Sequence, residues 1–548
     1  MDVITSGWSL ISWGAAGTGW KMSNQAAIAA ALRDGFAALN AGDAKKAAAF
    51  CQRAMAIDRS HPEAHFLVGL VALDMQDMRT AASAFGSVVK LSPGHGAGWA
   101  QLARIFIRMG QPARAEQALE KALAAKPEDA ATADLIGVTA SLLGNQELAL
   151  QWYARAAKLA PDRPAYQVNL ASAQIFLGQT VEAETTLTVA LSEHNDLAQA
   201  EWLLSSLKKS TDMMRPEQLM EKAANAKDDH SRAFLAYAAG KEFEDCEAWE
   251  QAFDAFELGA KAKRMTVVYE EAADAARFAA LENTFTTEWA AASRAGYDDA
   301  SPIFVVGQPR TGTTLIERII TSHSMAESAG ELQQFGLSVR RLTKGDFTDR
   351  WAPEAIAASA HIDAAALGKE YLRASAPMRK GAPRFVDKLP GNYFHIPLIL
   401  AALPNAKIVH LTRDPMDSCF ASYKQLFAEA YYHSYDQKEM ARHHLRYLAL
   451  MKHWRELFPG RFLDVSYEDT VASLEPNARR LIEFLELPWE DRCLDFHEQK
   501  SPVSTASAIQ VREKPHTRSV GRWRRYEAML APMRAELDGM GDSPDSKM

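Results

Sequence analysis

Small and apolar residues recur through the first half of the chain with a period of 34. Ala47, Ala81, Ala115, Ala149 and Ala183 form one column, and Ala54, Val88, Ala122, Ala156 and Ala190 a second. Gly42, Gln76, Gly110, Gly144 and Gly178 form a third, and Arg59, Pro93, Pro127, Pro161 and Asn195 close each unit. Gly35, Gly69, Ala103, Gly137 and Ala171 place a small residue earlier in it. This pattern predicts helical hairpins. Small residues let two antiparallel helices approach closely, a glycine past the first helix takes the left-handed cap, and a proline ends the second helix. Five units cover about residues 27–200 and stack into an α-solenoid. Gly240, Ala252 and Gly259 repeat the offsets of Gly69, Ala81 and Val88, which predicts one further, divergent hairpin. The solenoid is expected to end near Gly296, and the polar stretch Ala295–Ser301 is the place to divide the chain.

The pattern then changes. Ile303-Phe304-Val305-Val306 is a short apolar run of the kind found in buried strands. Gly307-Gln308-Pro309-Arg310-Thr311-Gly312-Thr313-Thr314 follows, and then a helical pattern from Leu315 to Ile320. Strand, glycine-rich loop and helix make a phosphate cradle, because loop N–H groups and the helix N-terminus point at the anion. The spacing is that of a P-loop, G-x-x-x-x-G-K-[ST], with Thr313 in the place of the lysine. Arg310 supplies charge inside the loop, and Thr311, Thr313 and Thr314 supply hydroxyls. Further strands are expected at Arg384–Val386, Lys407–Thr412 and Phe462–Val465, each leading into a helix; the alternation implies a parallel α/β sheet. Arg310, Lys388, Arg413 and Tyr467 fall beyond the strands' carboxyl ends, where such sheets bind ligands.

Composition narrows the classes. A chain of 548 residues suggests two to four domains, and 48% hydrophobic with 24% charged residues excludes a disordered chain. The net charge of −8 argues against bulk nucleic-acid binding. Residues 1–300 carry −10 and residues 301–548 carry +2, so an anionic ligand belongs with the second part. Cys51, Cys246, Cys419 and Cys493 lie far apart with no CxxC, which points to a reducing compartment, and a cytoplasmic location is expected. There is no run of 18 apolar residues, so no transmembrane segment is expected. Residues 1–22, with Trp8, Trp13 and Trp20 among Gly and Ser, lack the basic start of a signal peptide and read as a disordered extension. His443, His444 and His453 do not combine with carboxylates at metal-site spacing, so no metal is expected.

The 34-residue units resemble the tetratricopeptide repeat. The second part, about residues 300–530, resembles the sulfotransferases that use 3′-phosphoadenylyl sulfate (PAPS), with most likeness to the tyrosylprotein sulfotransferase branch and to tetratricopeptide–sulfotransferase fusions. Three motifs carry the resemblance. Pro309-Arg310-Thr311-Gly312-Thr313-Thr314-Leu315 is similar to the family's 5′-phosphosulfate loop, usually P-R-S-G-T-T. Ile408–Pro415 is similar to the strand and loop that bind the 3′-phosphate through Arg413. The serine usual eight residues on is Ala421 here, with Ser422 next and Ser418 earlier. Ser519-Val520-Gly521-Arg522-Trp523 sits where the family closes a loop over the nucleotide, preceded by Ser504–Ser507 and Gln510–Arg512 as in the fusion proteins. Tyr467 matches a tyrosine that contacts adenine.

What the resemblance implies is transfer of a sulfonate from PAPS to an acceptor hydroxyl by in-line displacement, without a metal. Ala329-Gly330-Glu331 resembles the pair that holds the general base, and Glu331 is expected at the end of the first helix and its turn. Lys388 is expected beside the leaving phosphate and Arg310 in the reacting centre; His323, His395 and His410 are alternative bases. The implied organisation is an extension (1–22), a solenoid (23–296), a sulfotransferase domain (300–535) and a flexible tail (536–548). The acceptor is a polypeptide, with protein tyrosine as a candidate, or another hydroxyl compound, and the solenoid is a surface able to hold it. Two alternatives stay open: a P-loop kinase, which needs a metal-holding carboxylate and a lysine at position 313, where Thr313 stands, and a repeat scaffold with a degenerate nucleotide domain, which Ala421 favours and the intact Arg310, Glu331, Lys388 and Arg413 set opposes.

Overall fold

The computed structural model describes residues 19–539 except 346, 348, 428–429, 500 and 504–509. Residues 1–18, Ser504–Ser507 and the tail beyond 539 therefore lie outside the described residues. Residues 19–22 of the expected extension begin the first helix, Gly19–Asn40, and the last helix, Ala531–Gly539, runs into the expected tail. The chain divides into two compact units, residues 1–174 and 175–548.

The first unit is a run of helical hairpins: Gly19–Asn40 with Ala44–Ile57, Pro62–Asp74 with Met78–Leu91, Gly96–Arg108 with Pro112–Ala124, and Ala130–Leu142 with Gln146–Leu159. The 34-residue columns have direct counterparts. Gly42, Gln76, Gly110 and Gly144 all have positive φ, and the N–H of the following residue reaches back to the carbonyl of Ala38, Ala72, Phe106 or Ala140. That is a Schellman cap at the same position of each unit. The alanine columns are fully buried, and a Cβ at Gly69 or Gly137 would lie 2.6 Å from the ring of Phe85 or Tyr153.

The second unit opens with helices and continues into the sheet. Its hairpin Asp229–Asp245 with Trp249–Met265 is the divergent one: a Cβ at Gly240 would lie 2.6 Å from Phe256, the same contact as Gly69 with Phe85. This hairpin packs through Tyr237, Phe253 and Phe256 on Phe420, Tyr423 and Tyr526. Tyr237 donates from its hydroxyl to the Tyr423 carbonyl at 2.9 Å, and buried Glu244 accepts from Lys424, Arg522 and Tyr526. Residues 175–296, read from the sequence as the end of the solenoid, thus share one compact unit with the α/β segment.

Five parallel strands form the sheet: β1 (Pro302–Gly307), β2 (Ala326–Gly330), β3 (Arg384–Asp387), β4 (Lys407–Thr412) and β5 (Leu463–Ser466), in the order β2-β3-β1-β4-β5. Both faces are covered, as the apolar run in β1 requires. Ile303 and Val305 face a core with Ile316, Ile319, Leu481 and Ile482, whereas Phe304 and Val306 face one with Phe335, Tyr371, Ile399 and Trp454. From β1 the chain goes to one edge of the sheet, and from β4 to the other. The crevice at the carboxyl ends of β1 and β4 is therefore the topological switch point. Among the described residues no helix is long and apolar enough to cross a membrane.

Candidate active site

The loop after β1 is held in a shape its sequence dictates. Arg310 and Gly312 have φ of 64° and 97°, and the helix Thr313–Thr321 starts directly after Gly312. A Cβ at Gly312 would lie 2.6 Å from the ring of Tyr467, so only glycine fits the twist and the contact together. Thr311 donates from its hydroxyl to the Gln308 carbonyl at 2.7 Å, and Thr313 and Thr314 are buried in the first helical turn. Pro309 accepts from the Ser422 hydroxyl at 3.3 Å.

Arg413, at the end of β4, ties three segments of the chain together. Its guanidinium donates to the carbonyls of Arg310 and Ser519, each at 2.7 Å, and lies 4.7 Å from the ring centre of Tyr467. Asp417, in the helix Pro415–Tyr423, accepts from the backbone N–H of Gly521 at 2.5 Å and of Trp523 at 3.1 Å. Arg310, Arg413, Tyr467 and Ser519–Trp523 therefore meet at the β1–β4 crevice although they lie far apart in sequence. Val520 is exposed, and the Trp523 ring packs with the Tyr237 cluster. Burial, and then Arg413, pulls the Arg310 guanidinium down to about 10. Two cations held this close favour an anion between or beside them.

A second group lies on the β2–β3 side. Glu331 follows the end of β2, an edge strand and not the helix-end turn the sequence suggested; this puts it with the other strands' carboxyl ends. The Lys388 ammonium, 1% exposed, donates to Glu331 and stands 3.9 Å from buried Glu317. Glu317 accepts from the Ser328 hydroxyl at 2.5 Å, and burial pushes its carboxyl up. Behind Lys388, Asp387 accepts from the Tyr371 hydroxyl at 2.9 Å; burial drives it up to about 8. Glu317 and Asp387 were not among the residues picked out from sequence. The signal for Glu317 is a carboxylate one turn into the helix that follows the glycine-rich loop, and for Asp387 its place at a strand end next to Lys388.

The alternative bases have other positions. His323 hydrogen-bonds the Pro488 carbonyl at 2.7 Å, remote from the loop. His410, on β4, sits between Asp464, at 2.5 Å, and Tyr447. His395 is buried against Trp351, with its imidazole pulled to about 3.

Several buried polar atoms around the loop have no protein partner among the described residues: Arg413 Nε, the Gln308 side-chain amide and the Ser418 hydroxyl. Together with the glycine cradle and the two arginines, these fit a ligand rich in phosphate oxygens. No group of three or more His, Cys, Asp and Glu able to hold a metal occurs among the described residues.

Residues 302–491 match the sulfotransferase family, and residues 72–137 match the tetratricopeptide repeat. The chain joins tetratricopeptide repeats to a sulfotransferase-family domain. An uncharacterized protein of Aquifex aeolicus (strain VF5) is 39% identical over 246 residues, which are 43% of this chain and 32% of that protein. A putative protein-tyrosine sulfotransferase of Caenorhabditis briggsae is 26% identical over 227 residues, 40% of this chain and 80% of that protein. Protein-tyrosine sulfotransferase A of Caenorhabditis elegans is 24% identical over 208 residues, 37% of this chain and 54% of that protein. The chain thus spans about a third of the Aquifex protein and about half of the Caenorhabditis elegans one.

Proposed function

We propose that the sulfotransferase-family domain moves a sulfonate from PAPS to an acceptor hydroxyl, with Glu331 as the general base. The observation that carries this reading is the pairing of two functions along the carboxyl ends of one sheet: an arginine-lined loop without the P-loop lysine after β1, and a carboxylate–lysine pair after β2 and β3. Bound PAPS supplies a sulfonate on a phosphate leaving group. The Arg310 loop and the N-terminus of helix Thr313–Thr321 receive the 5′-phosphosulfate end, with Pro309, Thr311, Gly312, Thr313 and Thr314 shaping the cradle. Arg413, with Ser422 or Ser418, receives the 3′-phosphate, while Tyr467 and the loop Ser519, Val520, Gly521 and Trp523 close over the nucleoside.

Glu331 takes the proton of the acceptor hydroxyl as its oxygen bonds to sulfur, and the sulfur–oxygen bond to the phosphate breaks. The electron pair leaves with adenosine 3′,5′-bisphosphate. Lys388 spends one N–H on Glu331 and keeps others for the charge that grows on the leaving oxygen, where a preorganised donor has most effect. Protein tyrosine is one acceptor that suits this site, in keeping with the names of the two Caenorhabditis relatives, and the repeats offer a surface to hold a polypeptide.

The kinase alternative makes an opposite prediction for nucleotide choice. Adenosine 3′,5′-bisphosphate should raise the unfolding midpoint of the full chain, and ATP with Mg²⁺ should not. At 100-fold excess over Kd the stabilisation is about 2.7 kcal/mol. A shift with ATP–Mg²⁺ and none with the bisphosphate would overturn the assignment.

A further inference from the structure

A cavity of about 610 Å³ opens beside the Glu331–Lys388 pair. Gln333 and Leu389, which line it, stand within two residues of Glu331 and Lys388. Tyr431 lines it as well, and after burial it is the Glu331 carboxylate that pushes its phenol up, which puts Tyr431 in the field of that carboxylate. The volume is that of a site for a compact organic molecule. One wall is aromatic: the Trp351 ring lies 5.0 Å from Phe394 and stacks on His395 at 5.2 Å. Another comes from the helix Glu271–Thr284, which precedes the segment matching the sulfotransferase family.

The cations in this cavity outnumber their partners. The guanidiniums of Arg277 and Arg350 each sit 5.2 Å from the Trp351 ring. Arg350 has no hydrogen bond or ion pair among the described residues, and the neighbouring Asp349 carboxylate, which acts on it electrostatically, is exposed. Arg277 reaches Asp274 at 3.4 Å, but its Nε is buried without a partner, as is Nε2 of His433 on the same lining. Asp274 is already shared by His443, at 2.9 Å, and Arg446, at 3.2 Å. Glu270, the other lining carboxylate, is exposed at the rim.

We infer that this cavity is the acceptor site and that it takes a small aromatic alcohol carrying an anionic group, the ring against Trp351 and Phe394 and the anion on Arg350 and Arg277. The inference rests on the sulfotransferase reading of Glu331. A single compartment holds the aromatic wall, the two arginines and the approach to the base, so hydroxyl and anion belong to one compact molecule, and a polypeptide is not required.

The test uses the full chain saturated with adenosine 3′,5′-bisphosphate and two probes, 3-(4-hydroxyphenyl)propionate and its methyl ester. Calorimetric binding of each is measured for the native protein, Arg350→Gln and Arg350→Lys, followed by KM and kcat with PAPS. The acid is expected to bind more tightly than the ester. Arg350→Gln should weaken the acid by roughly tenfold to hundredfold, the loss of one charge-assisted contact, raise its KM alike and weaken the ester far less. Arg350→Lys should recover part of the loss. Equal binding of acid and ester, or equal losses for both in Arg350→Gln, overturns the inference, and so does tight binding of a tyrosine peptide only. Failure of the bisphosphate itself to bind is a different result: it would remove the sulfotransferase reading.

Discussion

Replacing Glu331 by Gln is expected to lower turnover by about 10²–10⁴ while adenosine 3′,5′-bisphosphate binds with nearly unchanged affinity. The amide keeps the shape of the side chain and can still accept a hydrogen bond from Lys388, but it cannot take a proton from an attacking hydroxyl. The Glu331 carboxylate accepts from Lys388, whereas Arg413 is held by the carbonyls of Arg310 and Ser519 and the Tyr467 ring, so nucleotide affinity has no reason to follow. Stopped turnover with a phenolic acceptor, set beside calorimetric binding of the bisphosphate, separates the two effects. Normal turnover in this variant would show that another group is the base, and His395, which lines the adjoining cavity, would be the next to test.

Replacing Lys388 by Met has two large effects. The ammonium is buried between Glu331 and Glu317, and Glu317 is itself buried. Removing the cation leaves an uncompensated charge inside the protein, a change that costs about 3–5 kcal/mol in comparable buried pairs. On the proposed mechanism the leaving oxygen also loses a preorganised donor, a loss expected to cost about 10²–10³ in kcat. The double variant Lys388→Met with Glu317→Gln removes the stranded charge. Its unfolding midpoint should recover much of the loss while turnover stays low. Recovery of both together would mean that Lys388 serves the fold alone.

The residues of the loop cradle were legible because local chemistry fixes them. Gly312 is demanded by a positive φ and by the Tyr467 ring, and the strand–loop–helix order announces the crevice. The repeats were legible for a similar reason, since each column answers to one contact or cap. Ala326–Gly330 was not read as a strand. Ala-Glu-Ser-Ala-Gly has no β-branched or aromatic residue, and at the sheet edge it is only partly buried, so nothing in its pattern marks it. Missing that strand put Glu331 at a helix end. Glu317 and Glu244 were missed because each is a carboxylate whose partners lie far away: Lys388 for the one, Lys424, Arg522 and Tyr526 for the other. The packing of residues 229–265 on the Phe420 and Tyr526 region is non-local in the same way, and no hairpin pattern could reveal which surface that hairpin would cover.

Sulfonate transfer at the Arg310–Glu331–Lys388 site, as proposed, has two products that can be counted. The most direct test incubates the full chain with PAPS and a phenolic acceptor and follows both products by mass spectrometry. A sulfated acceptor and adenosine 3′,5′-bisphosphate are expected in equal amounts, formed without added metal and nearly abolished by Glu331→Gln. A phosphorylated acceptor formed from ATP, or bisphosphate release equal in the native protein and the Glu331→Gln variant, would contradict the proposal.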